Sequence, residues 1–190
     1  KLWDENGSES GWSEPVFFET GLLTLGEWDV QWAGFPGGWS GHAVCFQKRF
    51  EAPESFHQGR IYLGGPGWSE AWLNGKRLGG KTVLQPAQSD YSKSWHYLTY
   101  DVTDSLRPGE NVFAVLAGAG WFGTPMICYR IEADGQLLTR SHYLSLPAAW
   151  SSPVCRNSIY GGEEYDARQE IDPSWKLPGG IALRRMAFRV

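Results

Sequence analysis

Hydrophobic and polar residues alternate along this chain with a period of two, in short runs. Over residues 43–50 the alternation puts Val44, Phe46 and Phe50 on one face, as in a half-buried strand. Residues 60–64 form a short apolar strand. Residues 69–78 hold Asn74-Gly75 between two strand-like runs, the strongest local hairpin signal, because both turn positions need positive φ. Residues 95–102 alternate again, and residues 111–117 are an almost unbroken apolar run, expected of a strand buried on both faces. Residues 126–133 alternate, turn at Asp134-Gly135 and return through 136–146, a second hairpin. Thr103-Asp104-Ser105-Leu106 reads as one helical turn capped by Thr103 and closed by Pro108-Gly109. The chain carries no long amphipathic helix and no repeat of roughly 20–50 residues. Short strands at near-regular spacing predict an all-β fold, an antiparallel sandwich.

The two ends differ from this middle. Residues 1–7 are polar, and the stretch around Phe17-Phe18-Glu19-Thr20 has strand character with nothing before it to pair with. We therefore expect residues 1–23 to be the last strand of a preceding β domain, or a linker strand, and residues 24–190 to be the sandwich. Residues 177–190 hold one apolar strand-like piece behind Pro178-Gly179-Gly180.

Composition narrows the function classes. A chain of 190 residues with 42% hydrophobic and 20% charged residues can bury one domain-sized core. The 24 Gly and 11 Pro suit many tight turns, while the 11 Trp suit either a large aromatic core or stacking platforms for sugars. A net charge of -4 argues against nucleic acid as a partner, which would need a basic patch. The one basic cluster, Arg184, Arg185 and Arg189, is expected at a solvated strand edge. No apolar run approaches the ~20 residues of a membrane helix, so no membrane partner is expected. The sequence carries no signal-peptide pattern, and both an exported and a retained protein fit it. Cys45, Cys128 and Cys155 lack metal spacing, which argues against zinc. Cys45 and Cys128 sit in strand patterns where a buried thiol is expected, and a disulfide between two of the three stays open for an exported chain.

Several segments together resemble a family. Phe18-Glu19-Thr20-Gly21-Leu22-Leu23 followed by Trp28 resembles a domain junction of bacterial α-L-rhamnosidases of glycoside hydrolase family 78, where a fibronectin-III-like domain meets the next sandwich. Leu73-Asn74-Gly75-Lys76-Arg77-Leu78-Gly79, Asp90-Tyr91, Thr99-Tyr100-Asp101-Val102-Thr103, Pro108-Gly109-Glu110-Asn111 and Gly118-Ala119-Gly120-Trp121-Phe122 are similar to that family's N-terminal sandwich. Gly162-Glu163-Glu164-Tyr165-Asp166-Ala167-Arg168 matches its Gly-Glu-x-Tyr-Asp-Ala-Arg signature and makes the resemblance specific.

The resemblance implies a galactose-binding-like jelly-roll sandwich that is non-catalytic. In that family an (α/α)6 barrel following the sandwiches carries the acidic residues of inverting hydrolysis. The barrel is then the expected partner, and this chain an accessory module. Some relatives bind L-rhamnose through calcium. Here Gly80-Lys81 stands where an acidic residue is common and Ala119 where Asn is common, so two oxygen donors are missing from a site that wants about six to eight. No metal ligand set is therefore assigned.

Glu163, Glu164 and Asp166 invite comparison with a glycosidase acid pair, which sits ~6.5–9.5 Å apart in inverting enzymes. Glu164 and Asp166 are two residues apart and would share a strand face, with Arg168 beside them, so ion pairing and domain docking by Glu163, Glu164, Tyr165, Asp166 and Arg168 are the expected roles. His42, His57, His96 and His142 are isolated and lack metal spacing. The alternative function, recognition of L-rhamnose or a related sugar, rests on loop aromatics with polar neighbours: Trp68, Tyr91, Trp95, Trp121 and Phe122, with Glu70 and Asp90 as hydroxyl partners.

Overall fold

A computed structural model describes residues 1–16, 18–34, 41–83, 85–120, 124–142, 145–158, 160–183 and 188–189. The strands, in chain order, are β1 Ala33–Gly34, β2 Val44–Ala52, β3 Gly59–Gly64, β4 Trp68–Leu73, β5 Lys76–Arg77, β6 Tyr97–Asp101, β7 Gly109–Gly118, β8 Met126–Ala133, β9 Gln136–Arg140, β10 Ala148–Ser151, β11 Val154–Ser158, β12 Gly162–Tyr165 and β13 Phe188–Arg189. One short helix, α1 Leu25–Trp28, precedes them.

The strands build an antiparallel jelly-roll sandwich. One sheet runs β13-β1-β8-β3-β6, with β9 also on β8; the other runs β10-β2-β7-β4-β5. Between them lies the core. The period of two decides which side chains enter it: Val44, Phe46 and Phe50 from β2, Phe113, Val115 and Ala117 from β7, Ala71 and Leu73 from β4, Ile61 and Leu63 from β3, and Ile127, Tyr129 and Ile131 from β8. The alternate residues of β7 are buried as well, because the outer face of the five-stranded sheet is covered in turn.

That cover is the C-terminal segment. Asp172 opens a 3-10 turn, Pro173–Lys176, its side chain accepting from Ser174 N at 2.8 Å. The turn drops Trp175 onto Cys45 and Ala114, with Trp72, Leu116, Ile171 and Leu183 packed around it. Gln47, only 4% exposed, faces outward from β2 and binds the strap. Its Nε2 donates to Trp175 O and Ile181 O, and its Oε1 accepts from Leu183 N. Arg49 adds a bond to Gly180 O at 2.8 Å. The separate hairpin β11-β12 lies over the same outer face: Asn157 Oδ1 sits so close to Gly118 that a Cβ there would meet it at 3.0 Å.

Both predicted hairpin turns form, with Asn74-Gly75 at φ 50 and 82 and Asp134-Gly135 at φ 49 and 74. A buried amide network supports the first. Asn74 Oδ1 accepts from Val112 N and its Nδ2 donates to Asn111 Oδ1, while Asn111 Nδ2 donates to Arg107 O and Gly109 O.

Other expectations change. Residues 103–106 form a turn, and its organiser is Asp101, which accepts from both Thr103 N and Thr103 Oγ1; Thr103 Oγ1 in turn accepts from Gly59 N, tying the turn to β3. The second hairpin's return strand ends at Arg140, because Ser141 turns inward to bond Tyr129. Trp95 lies in the loop before β6. Residues 18–23 pair with no strand among the described residues: Glu19 reaches Arg60 instead, and Leu22 N donates to Tyr97 OH at 2.9 Å. Cys45, Cys128 and Cys155 stand as free thiols, none bonded to another. Arg184 and Arg185 fall outside the described residues.

Candidate functional site

The outer face of the five-stranded sheet carries two adjoining clefts. Strand β4 sends Trp68, Glu70 and Trp72 to this face and Ala71 and Leu73 to the core, a direct result of strand pleating. The first cleft, about 330 Å³, is bounded by Trp68, Glu70, Val83, Asn157 and Glu163, with Leu116 and Val154 at its inner end. The second, about 300 Å³, shares Leu116 and Val154 and continues past Trp72, Tyr165, Glu170, Trp175 and Lys176. Hairpin β11-β12 and the strap thus form the walls, and β4 and β7 the floor.

Of the sugar-binding candidates, Trp68 and Glu70 meet in the first cleft, and the signature residue Glu163 joins them. Glu70 is held by Arg77 at 3.2 Å. Tyr91 and Trp95 go elsewhere. They stack on one another at 4.9 Å, Trp95 packs on Trp32 at 4.8 Å, and Tyr91 OH accepts from Gly67 N. Asp90 organises its own turn, accepting from Ser92 N and Ser92 Oγ and pairing with Lys93 at 3.0 Å. Those bonds hold its carboxyl below the usual range. Trp121 and Phe122 lie outside the described residues.

The glycine-rich segments before Trp68 and Trp121 pack against each other, backbone to backbone. A Cβ on Gly67 would stand 2.3 Å from Gly118 O, and one on Gly120 would stand 2.6 Å from the Gly67 Cα. Their glycines serve this close approach.

The signature segment is knitted together by charge. Arg168 forks onto Asp166, Nε to Oδ1 at 2.8 Å and a terminal nitrogen to Oδ2 at 2.9 Å, and Gln169 adds a third bond. The guanidinium holds the Asp166 carboxyl far below the usual carboxylate range, so it carries no proton to donate near neutrality. Glu164 pairs with Arg156, and Tyr165 OH donates to Glu170 at 2.7 Å. This arrangement suits a cross-braced surface hairpin.

Calcium fits these residues poorly. Beside Gly80, the Arg77 guanidinium already supplies a cation: it donates to Gly80 O, to Thr82 O at 2.9 Å and to Glu70 at 3.2 Å. Ala119 is buried and brings no side-chain oxygen. Among the described residues no three His, Cys, Asp or Glu side chains gather into a metal-holding group.

Sequence reasoning missed the second cleft, because Trp72, Tyr165 and Trp175 come together from segments with no shared local pattern. It also missed Lys176, whose ammonium lies 3.9 Å over the Trp72 ring.

Known proteins share this fold. A family model described as the α-L-rhamnosidase N-terminal domain matches residues 54–137. An α-L-rhamnosidase of Formosa agariphila is 28% identical over 90% of this chain and 22% of its own length. One from Streptomyces avermitilis is 31% identical over 89% of this chain and 18% of its own. The crystal structure of an Aspergillus terreus α-L-rhamnosidase superposes with a TM-score of 0.87 at 27% identity, over 99% of this chain and 24% of that one. The chain therefore spans only about a fifth to a quarter of the length of the proteins it matches.

Proposed function

We propose that this chain, which is similar to the N-terminal domain of α-L-rhamnosidases, serves as a non-catalytic accessory module supporting the catalytic domain of a parent family 78 glycosidase. One observation carries the reading. Within residues 1–23, Leu2, Trp3, Trp12, Val16, Phe18 and Leu23 all face solvent, Phe18 at 93% exposure. Single exposed apolar residues are ordinary, but this concentration in one segment is what a domain boundary leaves when its neighbour is taken away. The bound state of Glu164 and Asp166 supports the non-catalytic half.

The test compares the isolated chain with the full-length polypeptide that carries it, using an aryl α-L-rhamnoside and thermal melts. Phe18→Asp is expected to leave the isolated chain's melting temperature unchanged and to lower that of the full-length protein. Rhamnoside turnover by the isolated chain would overturn the non-catalytic assignment. An unchanged full-length melting temperature would overturn the supporting role.

A second reading, carbohydrate recognition, is favoured by the convergence of Trp68, Glu70 and Glu163 on one cleft.

A further inference from the structure

We propose that the outer face of the five-stranded sheet is a groove for a short neutral oligosaccharide, laid along β4 from Trp68 to the Trp72–Trp175 corner. This rests on the carbohydrate reading and gives it a ligand class and a path.

The two clefts share Leu116 and Val154, and each has the volume of a small-ligand site at the lower limit of ~300 Å³. Together they make an elongated track. Trp68 and Trp72 are four residues apart on one strand face, so their Cα atoms lie about 13 Å apart. That is longer than one pyranose ring and within the reach of a short oligosaccharide.

The chemistry of the walls alternates as a sugar chain requires. Trp68, partly exposed, offers an aromatic face at one end, and the exposed Tyr165 ring borders the other, where the buried Trp175 only closes the wall. Flat apolar ring faces complement the C–H faces of pyranoses. Between them Glu70, Glu163 and Glu170 present carboxylate oxygens that accept hydroxyl hydrogens, and Lys176 supplies a donor. Arg77 and Tyr165 fix Glu70 and Glu170, so these acceptors are held in place before a ligand arrives. Glu70 and Glu163 at the first cleft disfavour an acidic sugar there. A uronate chain would meet like charge, and a neutral one would not.

The rim aromatics contribute no platform to this track. Tyr91 and Trp95 spend their faces on one another and on Trp32.

Isothermal titration of the 190-residue chain with glucose, mannose and xylose, their tetrasaccharides (cello-, manno- and xylotetraose), L-rhamnose and tetragalacturonate tests the proposal. At least one neutral tetrasaccharide is expected to bind tenfold or more tightly than its monosaccharide, and tetragalacturonate is expected to stay below detection. Trp68→Ala should weaken that binding at least tenfold. The exposed-site variant Glu163→Gln, which leaves the fold's core untouched, should weaken it several-fold. Trp95→Ala should leave it unchanged. Binding of monosaccharides alone, or sugar binding that survives Trp68→Ala and fails in Trp95→Ala, would overturn the groove while keeping carbohydrate recognition at the rim. Absence of heat with every sugar would overturn both.

Discussion

Gln47 and Leu183 are joined across 136 residues of sequence: the Gln47 Oε1 accepts from the Leu183 backbone at 2.8 Å, while its Nε2 holds the carbonyls of Trp175 and Ile181. One side chain on β2 thus fastens the strap that covers the outer sheet face. The same strap forms one wall of the groove, so its anchoring and the site's shape are coupled.

Gln47→Ala removes all three bonds and leaves the Leu183 N–H and two carbonyls without their partner. We expect a loss of about 1–3 kcal/mol in chemical-denaturation stability, the usual cost of orphaned buried polar groups. Protease sensitivity around residues 177–183 should rise in the same variant. Wild-type stability with wild-type protease resistance would show that the strap is held by packing alone.

The thiols give a second check. Burial pushes Cys45 up to about 12 and raises Cys128 still further, whereas Cys155 is partly exposed. A thiolate-specific reagent at pH 8 should label Cys155 first in the folded chain and all three thiols only in denaturant. Fast labelling of Cys45 in the native protein would mean that the strap opens readily, and Gln47→Ala should accelerate that labelling.

Arg60 ties the N-terminal segment to the sandwich, pairing with Glu19 at 2.5 Å and with Asp101 at 3.0 Å. Its bonds to Glu19 hold that carboxyl below the usual 4.5; bonds from Thr103, and then Arg60, hold Asp101 below the usual 3.8. Both folded values are depressed, so the stabilisation is complete above the unfolded values and is lost as pH falls through the folded ones. Residues 18–22 should therefore detach in acid, below the usual carboxylate range. Carboxyl carbon shifts followed by NMR would report this, and Arg60→Ala should return both titrations toward ordinary values.

The Asn74–Asn111 pair offers a test of the core. Asn111 is fully buried and serves Asn74, Arg107 and Gly109 at once. Asn111→Leu leaves these groups unsatisfied and should cost about 2–3 kcal/mol in denaturation, more than a typical surface change. A cost under 0.5 kcal/mol, the range typical of neutral surface changes, would argue that water replaces the amide.

Local signals carried much of the fold. Asn74-Gly75 and Asp134-Gly135 announced their hairpins because positive φ is a property of single residues; β2 and β8 announced themselves by alternation, and β7 by an unbroken apolar run. Strands β10 to β12 stayed hidden for a physical reason. Every residue of β12 is exposed, so burial leaves no period of two in its sequence. Trp68, Glu70 and Glu163 were individually visible as candidates, yet their meeting depends on β11-β12 folding over β4 and β7, a contact between distant segments. The sequence presents Asp90 as a sugar-hydroxyl partner, and Asp101 only as part of a family motif. Both order the backbone two residues on, a use open to any Asp whose side chain reaches the second N–H after it.

The strap also sets an order of events for a chain made from its N-terminus. Strands β2 and β7 can pair as soon as residue 118 has emerged, but the outer face of that sheet, with Cys45, Trp72 and Leu116, stays uncovered until Trp175 and Leu183 follow. During synthesis this half-built sandwich presents a sticky, water-facing sheet for the time needed to translate some sixty residues, several seconds at about 5–20 residues per second. Truncations between β9 and the strap should therefore accumulate as aggregates, and any chaperone demand of this protein should fall in that interval.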